Sequence, residues 1–150
     1  MRKQMSDLES EEFIKEINST YELNLVVEGI FFAKDEKRGA KKIFFFTGSH
    51  TPKVALEWIG QHFATISEKG IIDLSIEGAQ SVGRTAKKTI SLSETEAGDL
   101  FAGKDLETKE ADGNYILKTG NDILCSAKVE NKIILNPIPK SRRTRYQYQE

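Results

Sequence analysis

The residues best suited to chemistry lie near the carboxyl end. Lys140, Arg142, Arg143 and Arg145 stand close together with Tyr146 and Tyr148 interleaved, and residues 140–146 hold four cations and no acid. A guanidinium can grip a phosphate through two parallel hydrogen bonds, and a tyrosine ring can stack on an unpaired base. This pattern suits a polyanion, with affinity from charge neutralisation and specificity from shape or a few base contacts. Residues 144–150 equally read as a solvated tail. A second cationic set, Arg84, Lys87 and Lys88, follows the small-residue stretch Gly78-Ala79-Gln80-Ser81-Val82-Gly83. That stretch reads as a loop that either extends a cationic track or is a plain surface turn.

Other chemistries lack their parts. The single cysteine, Cys125, sits inside an apolar run, where a free thiol behaves as a small hydrophobe. It rules out an internal disulfide framework, and a reducing compartment fits. His50 and His62 are twelve residues apart with no partner at ligand spacing, so no metal site is expected. The carboxylates, Glu77, Asp99 and Asp105 among them, are not paired in apolar surroundings that would raise a pKa for acid–base work. Ser49 and Ser141 lie in no nucleophile elbow, and the Gly78–Gly83 stretch lacks the order of a P-loop. No cofactor is implied and no enzyme is expected.

Composition agrees with an ordinary folded chain. Of 150 residues, 38% are hydrophobic and 30% charged, enough to bury a core without staples. The net charge of -1 hides an uneven distribution: residues 94–112 carry seven acids and two lysines, against the cationic end. No apolar run approaches the roughly 20 residues needed to span a bilayer, and the amino-terminal stretch has no apolar leader, so a cytoplasmic protein is expected.

The elements that must position these residues can be read in order. Ser6 and Glu9 have capping-box spacing ahead of a helix to Asn18, with Phe13, Ile14 and Ile17 on one stripe. Leu23 to Ala33 and Lys41 to Thr47 read as strands joined by the charged turn 34–39. The phenylalanines 44–46 are read as core rather than as a base-stacking platform. Thr51-Pro52 starts a helix expected to reach about Ala64, and Ile71 to Ile76 is a strand. Thr89 to Leu92 is a further strand. Ser93 and Glu96 cap a short helix stopped at Gly103, and Lys104 to Asp112 is an acidic linker. Three apolar runs follow, Tyr115 to Lys118, Ile123 to Val129 and Ile133 to Leu135, separated by Gly, Asn and Asp turn residues, and they predict an antiparallel meander. Pro137 and Pro139 then take the chain out of the sheet.

The strand Tyr115-Ile116-Leu117, the Gly120 turn, a second strand ending at Lys128, Ile134-Leu135-Asn136 and Pro139-Lys140-Ser141-Arg142-Arg143 together resemble the carboxyl-terminal RNA-binding domain of Nop/Sun-type RNA cytosine-5 methyltransferases. The likeness extends upstream through Leu100–Leu106, Leu92–Ala97, Ala86-Lys87-Lys88 and Gly70-Ile71-Ile72, about residues 70–143. Cys125-Ser126-Ala127 stands where many such domains have Gly-x-Gly, so no very close approach of RNA backbone is expected at that strand. The resemblance implies a PUA-like pseudobarrel, with Lys128 added to the RNA-facing residues Arg84, Lys87, Lys88, Lys140, Arg142, Arg143, Arg145 and Tyr146. Enzymes of that family carry an S-adenosylmethionine-binding domain and two catalytic cysteines. This chain has one cysteine and no such domain in view.

The expected protein is thus α+β, an amino-terminal helix-and-sheet subdomain (1–75) followed by a PUA-like, mostly antiparallel domain (76–150). The boundary falls somewhere between residues 70 and 88. The expected function is non-catalytic binding of structured RNA, ribosomal RNA or its precursor, in ribosome biogenesis or rRNA modification. The alternative is a protein-interaction module that recruits a separate methyltransferase or assembly factor through the acidic region 94–112.

Overall fold

A computed structural model describes residues 2–25, 29–46 and 61–144. Ser6 opens the first helix: its hydroxyl accepts from the Glu9 N–H at 3.1 Å while Glu9 accepts from the Ser6 N–H at 2.9 Å. The expected capping box is therefore closed. Helix α1 (Asp7–Tyr21) ends where Glu22 turns left-handed, and it buries Phe13, Ile17 and Tyr21, one residue from each successive turn.

These side chains cover an antiparallel sheet whose strands lie in chain order, β1 (Arg2–Gln4), β2 (Ile30–Asp35), β3 (Lys41–Phe46), β4 (Gln61–Ile66) and β5 (Ile72–Leu74). Arg38 and Gly39 take positive φ in the β2–β3 turn, which closes the expected hairpin. The Phe13 ring meets Phe31 and Phe63 edge-on at 5.1 and 6.1 Å, and Phe45 tilts against Phe31 at 4.8 Å. Phe44, facing the other way, is buried beneath the Arg2 guanidinium, 3.6 Å from the ring centroid. The aromatic run serves packing.

A second sheet, curled and mostly antiparallel, has the order β6-β8-β9-β10-β7, from β6 (Thr89–Ser91), β7 (Leu106–Glu107), β8 (Gly113–Thr119), β9 (Asp122–Glu130) and β10 (Ile133–Ile134). Only β6 and β8 run parallel. The predicted meander is β8-β9-β10. Gly120 at φ 58° turns the first hairpin, and Asn131 and Lys132 at φ 51° and 66° turn the second. Helix α3 (Glu94–Phe101) carries the second closed capping box and is followed by Gly103 at φ 96°. Leu100 packs against Leu117, Val129, Ile134 and Ile138 in one core, while Ile116, on the opposite face of β8, joins the α1 core. Apolar burial on both faces explains why Tyr115-Ile116-Leu117 reads as a continuous run rather than an alternation. The chain is α+β, with helices and two mostly antiparallel sheets, as expected.

Several local expectations change. Residues 61–64 belong to β4, not to the end of a helix, because Phe63 and Ala64 are drawn into pairing with β3 and β5; residues 51–60 lie outside the described residues. The strand expected from Leu23 begins at Ile30, and Leu25 is held to the end of α1 by both amide atoms of Asn18. The strand expected over 71–76 stops at Leu74. Ser75 instead caps helix α2 (Ile76–Val82), so the supposed Gly78–Gly83 loop is mostly helix. A Cβ at Gly78 would overlap the Phe63 carbonyl. Small residues are thus what let α2 lie directly on β4. The acidic linker contains β7, which pairs with β10.

The two sheets meet along β5. Asp73 pairs with Thr65, flanked by bonds from Ser75 to Phe63 and from Ser67 to Ile71, so the carbonyls of Ile72 and Leu74 point off the sheet edge. Among the described residues no strand receives them. The Tyr21 hydroxyl donates to Ile72 at 3.4 Å, and the buried Ser126 hydroxyl of β9 donates to Leu74 at 3.1 Å. Removing a donor leaves a buried acceptor unmet, at a cost of about 1–3 kcal/mol. Urea unfolding of Ser126→Ala should show a loss in that range. Tyr21→Phe, which breaks the longer bond, should lose less. Wild-type midpoints for both variants would refute this account of the seam.

Candidate nucleic-acid interface

The carboxyl-terminal segment is positioned by Asn136. Its side-chain amide donates to the carbonyls of Leu100 at 2.7 Å and Lys104 at 2.6 Å, and its Oδ1 accepts from the Ile138 N–H at 2.9 Å. Its own N–H donates to Asp105 at 2.8 Å. The sequence marked this asparagine only as part of a resemblance, yet it is the hub that ties the exit from β10 to the end of α3. Pro137 and Pro139 keep the chain extended around Ile138, which is 1% exposed. A short 3-10 turn, Lys140–Arg142, comes next.

This docking uses up much of the expected cationic strip. The Arg142 guanidinium pairs with Glu77 of α2 at 2.8 Å. Arg143 donates through Nε to the Ile138 carbonyl at 3.0 Å and lies over Gly103, and the Thr144 N–H bonds to Phe101. Arg142 is therefore neutralised by an acid distant in sequence, and Arg143 works as a tertiary clamp. Lys140 is exposed with no carboxylate within pairing distance among the described residues. Arg145 and Tyr146 lie outside the described residues.

The other expected residues also separate. Lys128 pairs with Glu130 at 2.9 Å, and that bond, with Glu130, Asp73 and Asp112 charges nearby, raises its pKa. It sits in an electrically compensated patch, not on a cationic strip. Lys88 places Nζ 4.8 Å from the Tyr115 ring centroid, a cation–π contact over the start of β8. Lys87 is exposed while its backbone N–H bonds to Glu22 at the end of α1. Arg84 is exposed and, away from the carboxyl-terminal segment, lines a cleft with Lys118, a residue that sequence reasoning passed over as the end of a strand. Its signal was present: a lysine directly before the Thr119–Asp122 turn.

A mixed-charge cleft of about 200 Å³ lies at the seam, with His62 and Asp73 from the first sheet, Ser126 from the second, and the Arg142–Glu77 pair across it. Burial lowers the His62 pKa, assisted by Lys42, and its ring contacts the Thr65 hydroxyl at 3.2 Å. Burial raises the Asp73 carboxyl, opposed by Lys128. The Cys125 thiol is buried and pushed up to about 12, so it is protonated at neutral pH. Among the described residues no group of three or more His, Cys, Asp or Glu could hold a metal ion, and no helix is long and apolar enough to cross a membrane.

Residues 87–144 match the family model of the methyltransferase RsmF PUA domain. The matched span runs from the entry to β6 through the clamp of Arg143 on Gly103, and it begins later than the 70 expected from resemblance. The model matched is that of the PUA domain, a generally RNA-binding module, not that of a catalytic domain. No curated protein matches the chain.

Two outcomes follow from this geometry. Gly103 combines φ 96° with Arg143 Cδ 2.7 Å from where a Cβ would stand. Gly103→Ala should therefore cost about 1–3 kcal/mol and speed exchange of the Thr144 amide, as hydrogen-exchange measurements would show. His62 carries the second. Its pKa is lowered on folding, so below the ordinary 6.5 the unfolded chain binds a proton that the folded chain refuses. Stability should be fully present above that pH and fall as pH drops through it, and His62→Gln should flatten this part of the profile. Asp73, with its raised pKa, acts at lower pH and with opposite sign, favouring the folded state as pH falls toward 3.8.

Proposed function

We propose that the chain is a non-catalytic RNA-binding protein that contacts ribosomal RNA or its precursor in the cytoplasm, in ribosome assembly or rRNA modification. The observation that carries this reading is the PUA-like unit at 87–144 bearing Lys87 and Lys140 as exposed cations without carboxylate partners among the described residues, with Arg84 immediately before it. Cations held in place beside a rigid sheet displace condensed counterions when phosphates align with them, which supplies affinity without reference to sequence. Lys88, held over Tyr115, is a further cation next to Lys87. Arg142 contributes less, since RNA must compete with Glu77 for it. Arg143 contributes mainly by fixing the segment that presents Lys140.

The test is affinity for transcribed rRNA fragments measured against salt. The logarithmic slope should be about -0.7 to -0.9 per phosphate neutralised, and Lys87→Ala with Lys140→Ala should make it shallower by about the value of two contacts. Arg142→Ala should change it less than either. A slope untouched by the lysine pair would move the interface elsewhere. Absence of binding at low salt, with recovery of a protein partner through the acidic 94–112 region, would replace this reading with an interaction module.

A further inference from the structure

A cleft of about 420 Å³ opens beside the β8–β9 turn. Arg84, Ala86 and Thr89 line one side, and Lys118, Asn121 and Ile123 the other. Among the described residues no acidic side chain lines it. Three other clefts carry carboxylates: Asp7 and Glu11 in one, Glu9, Glu12 and Glu16 in another, Asp73 and Glu77 at the seam. Neither Arg84 nor Lys118 has a carboxylate within pairing distance among the described residues, so two like charges line one concave space without an ion-pair partner there. An anion entering between them would relieve that repulsion and would meet a low-dielectric wall that focuses the field.

Size narrows the ligand. Pockets that enclose small molecules measure roughly 300–1,000 Å³, so this cleft is nucleotide-sized and too large for a bare phosphate. Its lining is graded to match: guanidinium and ammonium for phosphate, Ala86 and Ile123 as an apolar wall for a base, and the Asn121 amide, donor and acceptor both, for a base edge. Its floor is fixed. Gly83 packs where a Cβ would stand 3.0 Å from Ile116 and Ile123, while Gly120 at φ 58° keeps the rim free of side chain.

We infer that the Arg84–Lys118 cleft seats one unpaired nucleotide of a bound RNA, its phosphate held between the two cations. This inference rests on the RNA-binding reading above and adds a preference for a bulged or flipped-out nucleotide over a continuous duplex. Stacked, paired nucleotides cannot enter a concave site, whereas an extruded one can. The same nucleoside-phosphate chemistry is offered by a free nucleotide, and the experiment separates the two sources.

The full chain is titrated with an RNA hairpin carrying a single-nucleotide bulge, with the same hairpin fully paired, and with uridine monophosphate. Affinity is read by fluorescence anisotropy, and the Gly120 and Asn121 amides by NMR. The bulged hairpin should bind about tenfold more tightly than the paired one. Arg84→Ala and Lys118→Met should each bring the two close to parity. Both side chains are at least partly exposed, so the fold should survive, and Lys140→Ala serves as a control that weakens both hairpins alike. Uridine monophosphate should shift the two amides only at millimolar concentration. Equal binding of the hairpins by wild type, or a preference that survives both variants, overturns the cleft while leaving RNA binding intact. Failure of both hairpins to bind overturns the RNA-binding reading itself. Tight monophosphate binding without any bulge preference overturns the assignment to RNA in favour of a free nucleotide.

Discussion

The arrangement depends on how an open sheet edge is closed. Strand β5 ends the first sheet with the carbonyls of Ile72 and Leu74 pointing outward, and an unmet edge in a buried seam is costly. Two hydroxyls meet it, Tyr21 from the last turn of α1 and Ser126 from the centre of β9. Burial pushes the Tyr21 phenol up to about 12, so it is reliably a donor. One strand is thereby tied at once to the helix before it and to the second sheet. Helix α2 lies in the same seam, close to both β4 and β9, and the Ile116 side of β8 completes the α1 core. The placement of everything in the carboxyl-terminal half relative to the first sheet follows from this closure.

What could be read in the sequence was whatever is settled by neighbours along the chain. Both capping boxes close as their spacing demands, Gly120 turns where a hairpin needs positive φ, and the prolines take the chain off the sheet beyond β10. What escaped was settled by residues far away. Gly78 and its small neighbours carry the composition of a loop, because a mid-helix glycine is penalised in isolation; the penalty is outweighed when a helix must rest on the Phe63 carbonyl. The apolar spacing around Phe63 suits a helix until β3 and β5 are available on either side. Local preference loses to pairing in such places.

The same division explains the candidate site. Cationic composition near residues 140–143 was visible, but charge is a property of neighbourhoods in space. Glu77 waits for Arg142 on a helix from the other side of the seam, and Glu130 for Lys128 two residues along the same strand. Arg143 is held by a carbonyl and a glycine. The strip that looked uniform is therefore three different things: a free lysine, a bridge and a clamp. Lys118 shows the converse, since nothing beside it in sequence is basic, and only the fold brings Arg84 to the same cleft.

An ion pair such as Arg142–Glu77 brings little net stability at a half-exposed site, where solvent screens it. Its greater consequence is for geometry. It spans α2 and the segment after β10, and with Asn136 and the Arg143 clamp it fixes that segment from three directions. A cation on a loosely held tail would lose, on binding a polyanion, the conformational freedom it had before; Lys140, inside this fixed segment, has less to lose. The acids and carbonyls that occupy its neighbours thus leave fewer charges to meet a ligand, while those that remain are already in place.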